Sequence, residues 1–185
     1  MVNDFWKPGF PNTYFPLQKN KDRGIAIYSK TPLKNLERAG STTSASDCTE
    51  IIHFVTSKVK VIAIYKSPLG KLARLLQELD EVLKTSRHKN VIITGDFNVE
   101  KPYFTEEEEK ANPLKKATME MKTLGQWMKR HQLQYVPLGN GGTTDHGSEI
   151  DHIWATKQPK AAFKLDAYYS DHKMLLFTLW GIYKR

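Results

Sequence analysis

One cysteine, Cys48, stands among 185 residues, so no intrachain disulfide can form and no zinc site built from cysteine thiolates can assemble. A reducing compartment is compatible with that inventory. Long apolar runs are missing as well: nothing approaches the ~20 consecutive apolar residues that span a bilayer. The opening residues, Met1-Val2-Asn3-Asp4-Phe5-Trp6-Lys7-Pro8, lack the basic-then-apolar plan of a secretory leader. No internal repeat and no glycine-rich phosphate loop appears. These absences make a soluble, intracellular protein with no membrane partner the expectation.

Acid is in short supply. The 20 Asp and Glu residues face 28 Lys and Arg, a net charge of +8, and the pI is near 9.4. Such an excess on a small chain favours a polyanionic partner, because neutralising phosphates releases condensed counterions. What is present supports a folded core: 39% hydrophobic residues and 11% aromatics argue against disorder. A chain of this length accommodates one domain, residues 1–185.

In chain order, residues 5–16 carry three prolines among five aromatics, which predicts an extended segment laid on the core. Residues 24–29, 49–55 and 58–65 read as strands of an antiparallel meander, with a Ser/Thr/Gly-rich loop at 38–47. Between 71 and 83 the apolar positions Leu72, Leu75, Leu76, Leu79, Val82 and Leu83 follow helical spacing. Thr105 and Glu108 suit a capping box, and Glu106 to Glu109 reads as a solvated helix start. A second helix is expected over 113–132, with Leu114, Ala117, Met121, Leu124, Trp127 and Met128 inward. A strand at 133–136, a glycine-rich loop at 139–142, and closing strands at 150–155, 163–168 and 174–180 complete the pattern. It fits an α/β (α+β) two-layer β-sandwich flanked by helices.

The chain is organised around Val91-Ile92-Ile93-Thr94-Gly95-Asp96-Phe97-Asn98-Val99-Glu100. The β-branched run predicts a buried strand that stops at Gly95, where the backbone can turn or approach another group closely. Asp96 and Asn98 then emerge at the rim of a sheet with Phe97 between them. A plain strand end with turn-forming residues fits the same letters, but two later stretches favour a site: Glu149-Ile150-Asp151-His152-Ile153-Trp154 and Tyr169-Ser170-Asp171-His172-Lys173. Asp96, Asp151 and Asp171, all near predicted sheet ends, supply enough acid to hold one magnesium ion, which takes oxygen ligands and commonly binds through one or two carboxylates.

In order, Ala63-Ile64-Tyr65-Lys66-Ser67-Pro68, Gly95-Asp96-Phe97-Asn98, Ile150-Asp151-His152-Ile153 and Ser170-Asp171-His172 resemble the endonuclease/exonuclease/phosphatase superfamily. Nearest are the apurinic-like endonuclease domains of mobile elements, of the non-LTR retrotransposon and helicase-associated kinds. The resemblance runs over residues 24–179 and implies a DNase I-like fold that lacks its first strands, since nothing before Gly24 matches the family's metal-binding glutamate block. Three readings stay open: the sequence is truncated, a partner chain or larger polyprotein supplies the missing piece, or the protein has lost catalysis.

The resemblance further implies a nuclear enzyme that hydrolyses phosphodiester bonds with Mg2+ (or Mn2+), with DNA as the expected nucleic-acid substrate. Asp96 would orient and deprotonate the attacking water, and would also contribute to metal binding. Asn98 would donate to a phosphate oxygen, His172 would stand beside the phosphate, and Asp151 would fix its tautomer. Asp171 would be a metal ligand, and Tyr65 would reach the phosphate or the leaving oxygen. Thr143 and Thr144 lie where relatives place a loop near DNA. Lys66, with Lys101, Lys115, Lys116, Lys129 and Arg130, is a candidate for backbone contact. His152 reads as a packing or surface histidine. A non-catalytic nucleic-acid-binding module and a phosphatase of small or lipid phosphates are the competing readings on the same fold.

Overall fold

The computed structural model describes residues 9–14, 25–40, 42–44, 47–56, 59–85, 88–103, 110, 118–168 and 170–179. In chain order the strands are β1 (Asn12–Tyr14), β2 (Ile27–Ser29), β3 (Lys34–Ala39), β4 (Thr42–Ser44), β5 (Asp47–Val55) and β6 (Lys60–Lys66). Helix α1 (Leu72–Lys84), β7 (Val91–Asp96), α2 (Met119–Arg130), β8 (Gln134–Tyr135), β9 (Asp151–Ala155), β10 (Ala161–Leu165) and β11 (Met174–Thr178) follow. A seven-stranded sheet in the order β3-β5-β6-β7-β9-β8, with β4 on β5, forms the centre. β6 and β7 run parallel, joined through α1, and the other pairs of that sheet are antiparallel.

The β-branched runs of β6 and β7 are buried on both faces, as strands in the middle of a covered sheet must be. One face, bearing Ile62, Ile64, Val91, Ile93 and Trp154, packs on the leucine stripe of α1 and on Met121, Leu124, Trp127 and Met128 of α2. The other, bearing Val61, Ile92, Ile153 and Ala155, is covered by Ala162, Leu175 and Phe177 of the antiparallel β10–β11 hairpin. Helices, a large sheet and a second small sheet are thus stacked as layers. No helix among the described residues is long and apolar enough to cross a membrane.

Several expected elements are redrawn. Where a loop was expected over 38–47, the described residues are mostly strand: β3 ends at Ala39, β4 occupies Thr42–Ser44, and both pair with β5. The meander is accordingly β3–β5–β6, while β2 pairs with β1 in a separate two-stranded sheet. Helix α2 is capped by the Thr118 hydroxyl, which accepts from the Met121 amide at 3.2 Å. Leu114 and Ala117, the Thr105–Glu108 pair and the Glu106–Glu109 run lie outside the described residues.

Candidate active site

The site is mounted where β7 ends. Gly95 has φ +135°, and a Cβ added there would stand 2.0 Å from the Ile64 carbonyl oxygen on the neighbouring parallel strand, so a glycine is required. Phe97 follows and is fully buried on the helix side of the sheet. Asp96 and Asn98, on either side of it, form a closed turn. Asp96 Oδ1 accepts from the Asn98 backbone amide at 2.8 Å, and Oδ2 accepts from Asn98 Nδ2 at 2.8 Å. Asn98 adopts φ +45°, a left-handed conformation that asparagine tolerates better than most residues.

Register then brings the partners together. Asp96 lies opposite Asp151 on β9 and beside Tyr65 on β6. Ile153, two residues past Asp151 in the same strand, faces the β10–β11 hairpin, so Asp151 faces it too. From the segment leading into β11, His172 Nδ1 meets Asp151 Oδ2 at 2.9 Å. Ligand atoms of Asp96, Asp151 and His172 all lie within 4.8 Å of one another. Burial pushes the Asp96 carboxyl up to about 6, helped by the Asp151 charge and opposed by the Asn98 amide, His172 and Lys66. For His172, burial works against the charged form, but Asp151, Asp96 and Asp171 outweigh it and raise its pKa above the usual histidine value.

Other expected contacts take different places. Lys66 alternates with Tyr65 along β6 and so falls on the opposite face. It is buried, and its Nζ donates to the Gly70 carbonyl at 2.9 Å and the Ser67 carbonyl at 3.3 Å. This ammonium braces the turn after β6 instead of meeting substrate. Thr143 and Thr144 are buried too. Thr143 Oγ1 accepts from the Ile150 and Asp151 amides at 3.1 and 3.0 Å, and Thr144 pairs with His172 in a backbone bridge. Both threonines build the frame that carries Asp151 and His172. Asp171 is exposed and outside the Asp96–Asp151–His172 cluster, because its neighbour His172 takes the inward direction. Asn98 Nδ2 spends its hydrogens on Lys66 O, at 2.6 Å, and on Asp96, so it orients Asp96 and is not free to donate to a phosphate.

Of the two readings given for His152, packing or surface, the structure shows the first: the ring is wholly buried, stacked on Phe97 at 4.9 Å, with Nε2 2.8 Å from the Glu149 carbonyl. Burial pulls its pKa down to about 4, so the ring is neutral and Nε2–H is the donor. Glu50 on β5, directly opposite Tyr65, is also buried. The signal for His152 was the alternation Asp151-His152-Ile153-Trp154, which puts one pair on each face.

Against known proteins, the family model described as endonuclease-reverse transcriptase matches residues 59–176, more than half the chain and all of Tyr65, Asp96, Asn98, Asp151 and His172. The chain belongs to the endonuclease-reverse transcriptase family. It is thereby a member of the endonuclease/exonuclease/phosphatase superfamily, with a DNase I-like fold. The endonuclease domain of TRAS1, a telomere-specific non-LTR retrotransposon, is similar at 16% identity and TM-score 0.53, over 82% of this chain and 69% of that one. A 3′ phosphatase from Neisseria, solved with a product DNA hairpin, is similar at 16% identity and TM-score 0.57, over 83% and 74%. The Haemophilus ducreyi cytolethal distending toxin gives 12% identity and TM-score 0.53, over 83% and 61%. No curated protein matches. At these identities the solved structures speak for the fold that an endonuclease-reverse transcriptase domain shares with them.

Proposed function

We propose that this chain is a divalent-metal-dependent phosphodiesterase that nicks DNA as the endonuclease domain of a mobile element, acting in the nucleus. The observation that carries the reading is the meeting of Asp96, Asp151 and His172 within 4.8 Å at the end of one sheet. Their donor set fits a hard cation: carboxylate oxygens suit Mg2+ or Mn2+, and an imidazole is tolerated beside them. Asp96 and Asp151 would hold the ion, which would offset charge gathering on the phosphoryl oxygens.

The protein groups divide the remaining work. Asp96, at the rim of the sheet, would take the proton of an attacking water. Asn98 locks that carboxylate through two hydrogen bonds. Asp151 holds His172 by Nδ1, which leaves Nε2 to donate to a phosphoryl oxygen when the ring is charged. Tyr65, adjacent to Asp96 in register, is the group for the leaving oxygen.

The test is a titration of the chain with Mg2+ and then Mn2+, using supercoiled plasmid and an end-labelled oligonucleotide. Metal-dependent nicking should fall by about a hundredfold or more in Asp96→Asn and His172→Ala. Equal nicking by wild type and both variants refutes the assignment. A non-catalytic nucleic-acid-binding module is the second reading, favoured by the position of Asp171 outside the ligand cluster. It gives salt-sensitive DNA binding with no cleavage at any metal concentration.

A further inference from the structure

The row of side chains at the site extends beyond the residues given roles above. Register partners share a face, and Asp151, Asp96, Tyr65 and Glu50 are successive partners across β9, β7, β6 and β5. Glu50 is therefore on the same face as the site, one strand past Tyr65. It is only 7% exposed, and its Oε2 accepts from the Ile25 amide at 2.7 Å.

Arg38 is one strand further, on β3. It pairs with Ile52, and that line continues through Ala63 and Thr94 to Ile153, which faces the hairpin. Arg38 thus stands on the site face, one level below Glu50, and is half-buried. Its charge is close enough to Glu50 to act on that carboxyl. Yet its guanidinium makes no hydrogen bond and no ion pair with any described residue.

The other cations nearby are committed. Lys66 is on the Ser67 and Gly70 carbonyls, Lys173 is 3.0 Å from Asp166, Lys164 is on the Gly139 and Gly141 carbonyls, and Arg74 is on Asp47. A guanidinium carries five donors in a planar fork shaped for carboxylate or phosphate. Leaving those donors unused in a half-buried place costs free energy that an anionic ligand would recover.

We propose that Arg38, on the site face one level below Glu50, binds a backbone phosphate of the nucleic acid. The proposal rests on the reading that this face takes a nucleic-acid strand. β3 is three strand spacings from β7, or about 14 Å at ~4.8 Å each. Successive phosphates of one strand are farther apart than the ~3.4 Å rise along the duplex axis, so the phosphate held by Arg38 lies within about four nucleotides of the reacting one.

The experiment measures fluorescence anisotropy of labelled duplexes in EDTA, where no cleavage occurs, as a function of salt. One duplex extends well past about four nucleotides on both sides of its centre, and a second ends at the nucleotides that flank the central phosphate. Arg38→Gln should weaken binding of the long duplex about tenfold and reduce the slope of log K against log salt by about one, leaving the short duplex unchanged. Arg38→Lys should restore the slope.

Wild-type affinity and slope in Arg38→Gln, or equal weakening of both duplexes, overturns the proposal. Should Arg38→Gln fail to fold, Arg38→Met takes its place: weaker binding of the long duplex alone, with a slope lower by about one, supports the contact, and identical binding to wild type removes it. Binding is read without turnover, so absent nicking refutes the nuclease reading while leaving Arg38 to be judged by its own slope.

Discussion

Acidification should destabilise this protein through His152 more than through any other histidine described above. The ring has no exposure, donates from Nε2 to the Glu149 carbonyl, and leaves Nδ1 without a hydrogen-bond partner. A proton on Nδ1 would have nowhere to share its charge, which is why burial drives the pKa from 6.5 to about 4. As pH falls below 6.5 the unfolded chain takes up the proton first. Stability from this ring is therefore complete above pH 6.5 and is lost progressively down to about pH 4. At about 1.4 kcal/mol per pH unit that interval amounts to roughly 3 kcal/mol.

Asp96 works in the other direction. Its folded carboxyl is raised to about 6 from 3.8, so its contribution to stability is present at low pH and lost as pH rises through about 6. The raw pH profile mixes both groups, and the variant His152→Gln separates them. Glutamine retains an N–H for the Glu149 carbonyl and cannot titrate. Urea unfolding followed by circular dichroism, for both proteins from about pH 7.5 to about pH 4, should show wild type losing roughly 3 kcal/mol more than the variant. Parallel curves would refute the argument that the buried neutral ring sets acid stability. Because the ring stacks on Phe97, its charging should also loosen the Asp96–Asn98 turn before the molecule unfolds.

Three further substitutions probe the frame. Thr143→Val leaves the buried Ile150 and Asp151 amides without their acceptor, so a loss of about 1–3 kcal/mol in urea unfolding is expected, with kcat falling more than KM rises. Gly95→Ala drives a Cβ against the Ile64 carbonyl at a φ of +135°, and should cost more than about 3 kcal/mol, seen as insoluble expression or a lost melting transition. Asn98→Asp removes the donor to the Lys66 carbonyl and sets a second negative charge beside Asp96. Activity should drop, and the acid limb of any remaining pH profile should move to higher pH.

Much of this architecture was legible because its signals are local. The β-branched run of β7, the leucine spacing of α1 and the described part of the second helix's stripe each follow from one element's own periodicity, and Ile92, Ile93, Leu75, Leu79, Met121, Leu124, Trp127 and Met128 are buried as expected. Asp96, Asp151 and His172 were also legible, since each stands at a strand end or beside a turn signal. β3 and β4 were not. β3 pairs on one side with β5 alone, and its Lys34, Asn35, Glu37 and Arg38 carry no apolar alternation for a reader to find. Lys66 and Asp171 stand elsewhere than expected for different reasons: along extended β6 neighbours point to opposite sides, so Tyr65 takes the site face and Lys66 the other, while Asp171 sits exposed in a bend beside His172, which meets Asp151. Thr143 and Thr144 were placed in the right loop, but their burial depends on residues 170–173, which no local pattern announces.

The strand–helix–strand unit of β6, α1 and β7 has a consequence for the order of assembly. Tyr65 and Asp96 are 31 residues apart in sequence against 55 for Asp96 and Asp151, and the shorter loop closes at lower entropy cost, so Tyr65 and Asp96 become neighbours as soon as this unit forms. Asp151 arrives only with β9, and His172 only when the β10–β11 hairpin seats Ala162, Leu175 and Phe177 on the opposite face. The hairpin is held to the large sheet by side-chain packing and the Thr144–His172 bridge, without a strand ladder to the seven-stranded sheet. Opening it would remove the imidazole while the seven strands stay paired. Native-state hydrogen exchange should accordingly show β11 amides exchanging well before those of β6 and β7. The lifetime of the competent site is then a local quantity, tuned by hairpin packing and not by the stability of the fold as a whole.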